Sequence, residues 1–132
     1  MSLTESPTLD DFRVICLCAE WCGTCRDYQP GFMRLIDAFP GVQFRWLDIE
    51  EQAEEMGDLD IEDFPTLLIC RGPSILFFGT LMPYLEHLRR MIETFQEQTA
   101  EQSLSYARSS PERLDWQKNV DLRALCGGPS DE

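Results

Sequence analysis

From Phe12 to Ala19 the chain reads FRVICLCA, apolar throughout except for Arg13. So continuous an apolar run, rich in β-branched residues, predicts a strand buried on both faces. The period then changes. Tyr28, Phe32, Leu35, Ile36 and Phe39 fall at helical spacing, which predicts a helix over 22–38 with Pro30 inside it. Pro40-Gly41 ends that helix. VQFRWLDI (42–49) alternates as a second strand, and a short helix is expected over 51–56. Phe64-Pro65-Thr66 opens a third strand, TLLIC (66–70). Arg71-Gly72-Pro73-Ser74 supplies a turn, and 75–79 a fourth strand. So short a turn implies an antiparallel hairpin. From Leu81 the helical period returns, with Leu85, Leu88, Ile92 and Phe95 on one face.

Beyond residue 97 the chain turns polar. Ser110-Pro111 reads as an N-cap followed by proline at the first helical position, and Gly127-Gly128 as a stop. One helix over about 111–125 is expected there. The order strand, helix, strand, helix, hairpin, helix predicts an α/β fold: a four-stranded mixed sheet with helices on both faces. A first strand–helix–strand unit makes its two strands parallel. Two parts result, a domain over 1–98 and a polar C-terminal extension over 99–132 with one helix.

Charge narrows the possible partners. Eleven Lys and Arg against 24 Asp and Glu give a formal charge of −13. Such a field repels nucleic acid phosphates and anionic lipid surfaces. No window of about 18 apolar residues exists, so no membrane span is expected. The start, MSLTESPTLDDF, lacks the basic and apolar segments of a secretory signal, and the chain reads as cytoplasmic. In a reducing compartment six cysteines read as thiols, ligands or redox pairs more readily than as permanent staples.

Four of the six lie in CLCAEWCGTCRDYQP, 16–30. They fit a metal cage, structural bridges or an exchanging dithiol. A zinc cage needs four convergent thiolates, which a straight strand followed by a helix does not supply. Cys16 and Cys18 lie on one face of the strand, roughly 6.5–7 Å apart, at or beyond the reach of a disulfide. They read as small buried residues. Cys22 and Cys25 differ. Spaced C-x-x-C where a strand ends and a helix opens, they place the first sulfur at unpaired backbone N–H groups that favour a thiolate. The second sulfur sits one turn on, within reach to close a disulfide. Exchange then follows: the first sulfur attacks a substrate disulfide and the second releases the product.

The segment Ala19-Glu20-Trp21-Cys22-Gly23-Thr24-Cys25-Arg26 resembles the active-site stretch of the thioredoxin family. Pro30 matches the proline in that family's active-site helix. Phe64-Pro65-Thr66 resembles its cis-proline loop. The resemblance spans Phe12 to about Gln96 and implies a thioredoxin-like fold. It implies Cys22 as nucleophile, Cys25 as resolving thiol and Pro65 as cis. It implies Trp21, Gly23, Thr24, Phe64, Pro65 and Thr66 as the surface that holds substrate. The implied activity is thiol–disulfide exchange on protein disulfides, with no cofactor beyond the redox-active pair. The implied electron donor is a thioredoxin-reductase-type flavoprotein or another dithiol carrier. A thioredoxin-fold adaptor with a weakly active dithiol is the alternative.

Three departures stand out. Thr24 replaces the usual proline. Cys16 and Trp46 occupy the positions of the family's buried acid and its partner lysine, which leaves water or Glu20 to accept the resolving thiol's proton. The family's first strand and helix have no counterpart. Elsewhere, Cys70 reads as core, Cys126 as a free thiol beside a Gly-Gly tail, and His87 as a helix-surface residue. The acids from Glu50 to Asp63 read as a solvated face.

Overall fold

The computed structural model describes residues 12–19, 21–57, 59, 61, 64–72, 74–80 and 85–126. Strand β1 (Phe12–Cys18) leads into helix α1 (Gly23–Ala38), and strand β2 (Val42–Asp48) into the one-turn helix α2 (Ala53–Met56). Strands β3 (Thr66–Arg71) and β4 (Ser74–Thr80) form the hairpin, followed by helix α3 (Leu85–Glu97). Gly72 turns that hairpin at φ 55°, in the left-handed region that favours glycine. Leu81 lies outside the described residues, as do Glu20, Asp58, Asp60, Glu62, Asp63 and Pro73.

The sheet order is β2-β1-β3-β4. Strands β1 and β2 run parallel, while β1–β3 and β3–β4 are antiparallel. β1 is therefore central and buried along almost its whole length. Its alternate residues serve two cores. Phe12, Val14, Cys16 and Cys18 face α1 and α3, where Phe32, Leu88, Ile92 and Phe95 close the layer. Ile15 and Leu17 face the other way, toward Leu47, Leu68 and Ile75. Helices cover both faces, as the continuous apolar run requires.

The C-terminal extension departs from the expected single helix. It contains α4 (Ala100–Ala107), α5 (Pro111–Lys118) and α6 (Val120–Leu125). Thr99 caps α4 through a reciprocal capping box with Gln102. Ser110 caps α5, with Pro111 at its first position. Asn119 then breaks the expected helix, because its side chain accepts from the backbone N–H of Asp121 and Leu122 and starts α6 afresh.

This extension packs on the sheet. Leu122 and Leu125 are buried in the second core. The amide side chain of Gln117 accepts from the Ile75 backbone N–H at 2.9 Å and donates to the Ile75 carbonyl at 2.7 Å, which occupies backbone groups of edge strand β4. Arg71 donates to the Gln98 carbonyl and to Ser103 Oγ. Two expectations about single cysteines are corrected here. Cys70 and Cys126 are not separate, a core thiol and a free thiol, but form a disulfide with Cα atoms 5.9 Å apart. Cys70 points to the second face of β3, and α6 packs beneath that face, so its C-cap brings Cys126 to it.

Candidate active site

The end of β1 and the start of α1 build the site. Cys22 is the N-cap of α1, in extended backbone, and its own N–H donates to the Ala19 carbonyl at 3.0 Å. Its side chain makes no capping bond, and no acidic residue stands in the helix's first turn. The sulfur thus sits at the positive end of a 16-residue helix without a competing carboxylate in that turn. Cys22 is half-buried and free. Gly23 and Thr24 follow as the first two helical residues, both exposed. A Cβ at Gly23 would meet nothing within 4 Å, so space alone does not demand glycine there.

Trp21, Phe64, Pro65 and Thr66 lie on the same side. Trp21 is 60% exposed. Its Nε1 donates to Glu50 at 3.0 Å, and its ring meets the edge of Phe64 at 5.5 Å between centroids. The Phe64–Pro65 peptide bond is cis. Pro65 is buried and Thr66 begins β3. An exposed indole, a half-buried phenyl ring and a proline loop therefore converge beside the helix end that carries Cys22. Glu50, which holds the indole, was not singled out from sequence; only the fold brings it to Trp21.

Behind Cys22 the arrangement differs from expectation. Cys25 is 1% exposed and is joined in a disulfide to Cys18, also 1% exposed, with Cα atoms 5.9 Å apart. The C-x-x-C pair is not closed in this structure. Cys18 was read as a small core residue; the strand end instead directs it at the first turn of α1, within normal disulfide reach. Cys16 Sγ lies 3.5 Å from Cys18 Sγ. With Cys18 bridged, Cys16 is the donor of that contact. Burial pushes the Cys16 thiol well above its ordinary pKa, so it stays protonated. Tyr28 adds a buried hydroxyl with no hydrogen-bond partner among the described residues. Its pKa is also raised, by burial first and by the neighbouring Cys16 second.

Cys16 pairs in register with Trp46 of β2. The two positions where the family carries an acid and a lysine are neighbours across the strands, and both are occupied by groups that hold no charge at neutral pH. Glu20 lies outside the described residues. His87 is exposed in the first turn of α3. Among the described residues no group of three or more His, Cys, Asp or Glu side chains is placed to hold a metal ion. No helix of the described residues is long and apolar enough to cross a membrane.

The thioredoxin family profile matches residues 7–77, more than half of the chain. The chain belongs to the thioredoxin family. It is 33% identical over 73 residues to putative thioredoxin 2 of Streptomyces coelicolor, covering 55% of this chain and 54% of that protein. It is 31% identical over 84 residues to mitochondrial thioredoxin-3 of Saccharomyces cerevisiae, covering 57% and 66%. The chain thus spans between about half and two thirds of the length of these curated relatives. The crystal structure of that yeast protein in its oxidised form superposes with a TM-score of 0.57 at 26% identity, covering 64% of this chain and 79% of that one. The thioredoxin-like fold is thereby established, with the C-terminal helices beyond the matched segment.

Proposed function

We propose that the protein is a thiol–disulfide oxidoreductase acting on protein disulfides, with Cys22 as the attacking sulfur and Cys25 as the resolving one. The observation that carries this reading is the placement of a free, half-buried Cys22 at the N-cap of α1, beside Trp21 and the Phe64–Pro65 loop. The Cys22 thiolate attacks one sulfur of the substrate disulfide and expels the other as a thiolate. The resulting mixed disulfide places substrate against Trp21 and Phe64, while the cis-proline loop is positioned to hold its backbone. Cys25, in its reduced form, attacks Cys22 Sγ, releases the second substrate thiolate and closes Cys22–Cys25. The exchange needs no cofactor. A flavoprotein reductase or another dithiol carrier returns the pair to the thiol form, and the reducing compartment this needs fits a cytoplasmic setting.

Neither Cys16 nor Trp46 offers a carboxylate to accept the resolving thiol's proton, which leaves that role to water or Glu20. Nothing specific favours the adaptor alternative. Insulin reduction by dithiothreitol tests the proposal. The parent protein should accelerate it, and Cys22→Ser should fall to the uncatalysed rate. Equal, uncatalysed rates for both would end the reading.

A further inference from the structure

Cys25 has two potential partners. Cys22 precedes it by three residues on the helix N-cap, and Cys18 reaches it from the end of β1 with Cα atoms 5.9 Å apart. The structure holds the second pairing and leaves Cys22 free at the surface. We propose that Cys18 is a third exchanging thiol, which takes Cys25 over from Cys22 and so stores the disulfide in the interior while returning Cys22 as a monothiol. This rests on the reading of Cys22 as the attacking sulfur.

The step balances without any further reactant. Cys18 Sγ attacks Cys25 Sγ of the Cys22–Cys25 disulfide. One S–S bond forms, one breaks, and Cys22 leaves as a thiolate at the helix end. The proton lost by Cys18 passes to Cys22 or to water at the half-buried site. No net oxidation occurs. In the reverse direction Cys22 attacks Cys25 and Cys18 leaves as a buried thiolate.

Cys16 makes that leaving group tolerable. Its sulfur lies 3.5 Å from Cys18 Sγ, and its buried S–H is aimed at the atom where charge develops. A lone buried Cys18 would lack such a donor. The product state has a definite consequence. With Cys25 tied inward, Cys22 still attacks a substrate disulfide but nothing resolves the adduct. The protein completes one reduction, then retains the next substrate covalently at Cys22.

Stoichiometric mapping tests this on the full chain. Reduced protein is mixed with one equivalent of a peptide disulfide, quenched with iodoacetamide and digested without reductant. The readout is which of Cys18 and Cys22 carries the label. The peptide disulfide joins two separate peptide chains, so the wild-type chain should release two peptide thiols and then carry label on Cys22, with Cys18 blocked. A second equivalent should add the peptide's mass at Cys22 and persist. In Cys18→Ala, or Cys18→Ser should alanine not fold, Cys22 should stay blocked and take no second adduct. Peptide release with label confined to Cys18 in the wild-type chain overturns the inference alone. No peptide release, or equal release from Cys22→Ser, overturns it together with the oxidoreductase reading.

Discussion

Replacing Cys126 by serine should cost the protein about as much as any single change in it. The Cys70–Cys126 bond spans 56 residues of sequence, nearly half the chain. Loop-closure entropy for a cross-link of that span comes to about 4 kcal/mol at 25 °C. The native contacts around it change little, because Leu122 and Leu125 keep the packing of α6 on the second core. At about 3 °C per kcal/mol for a domain of this size, Tm should fall by about 12 °C. Urea denaturation of the non-reduced parent and of Cys126→Ser gives the difference directly. It leaves Cys18–Cys25 intact in both proteins, which reduction of the parent would not. A loss below about 1 kcal/mol would show that the bond constrains nothing in the unfolded chain. The extension would then hold to the sheet through the packing and hydrogen bonds of α4, α5 and α6 alone.

Other changes test other parts of the account. Tyr28→Phe removes a buried hydroxyl that lacks a hydrogen-bond partner among the described residues, so stability should hold or rise by up to about 1 kcal/mol in urea denaturation; a loss above that would reveal a partner. Cys16 has a folded-state pKa raised by burial, so the folded chain keeps its proton where the unfolded chain releases it. Its contribution is complete below the ordinary thiol value of 9.0 and is lost as pH rises beyond it, at a slope approaching about 1.4 kcal/mol per pH unit. Cys16→Ala should flatten the alkaline limb of the stability profile, and an unchanged limb would refute the assignment. Gln117→Ala strips Ile75 of two hydrogen bonds at the sheet edge and should cost about 1–3 kcal/mol. Faster hydrogen exchange at Ile75 should accompany that loss.

The core of the fold was written in local patterns. The apolar run 12–19 gave a strand buried on both faces, and the stripe Leu88, Ile92, Phe95 gave α3, because each pattern matches one period and one buried layer. The extension was less legible for physical reasons. Helix α4 buries only Ser103 and Ala107, residues too small and polar to mark a stripe, so its capping box at Thr99 and Gln102 was the one available signal. The break at Asn119 was likewise a matter of capping, hidden inside a stretch of helix formers.

At the site, the residues around Cys22 could be named because their motif is contiguous. The partnership of Cys18 with Cys25 could not. Distances along a strand argued only about Cys16 and Cys18, whereas the bond depends on how the strand end meets the helix start. Cys70 and Cys126 are further still from any local rule, separated by 56 residues and brought together only by the packing of the extension on the sheet.

The central claim is that Cys22 is the sulfur that meets substrate. A Cys18→Ala/Cys25→Ala double variant, exposed to a peptide disulfide and mapped by mass spectrometry, tests it most directly, since no neighbouring thiol can then resolve the adduct from Cys25 or Cys18. The account predicts a stable peptide adduct on Cys22 and release of one equivalent of peptide thiol. An adduct on Cys16 or Cys70 instead, or no adduct at all, would contradict it.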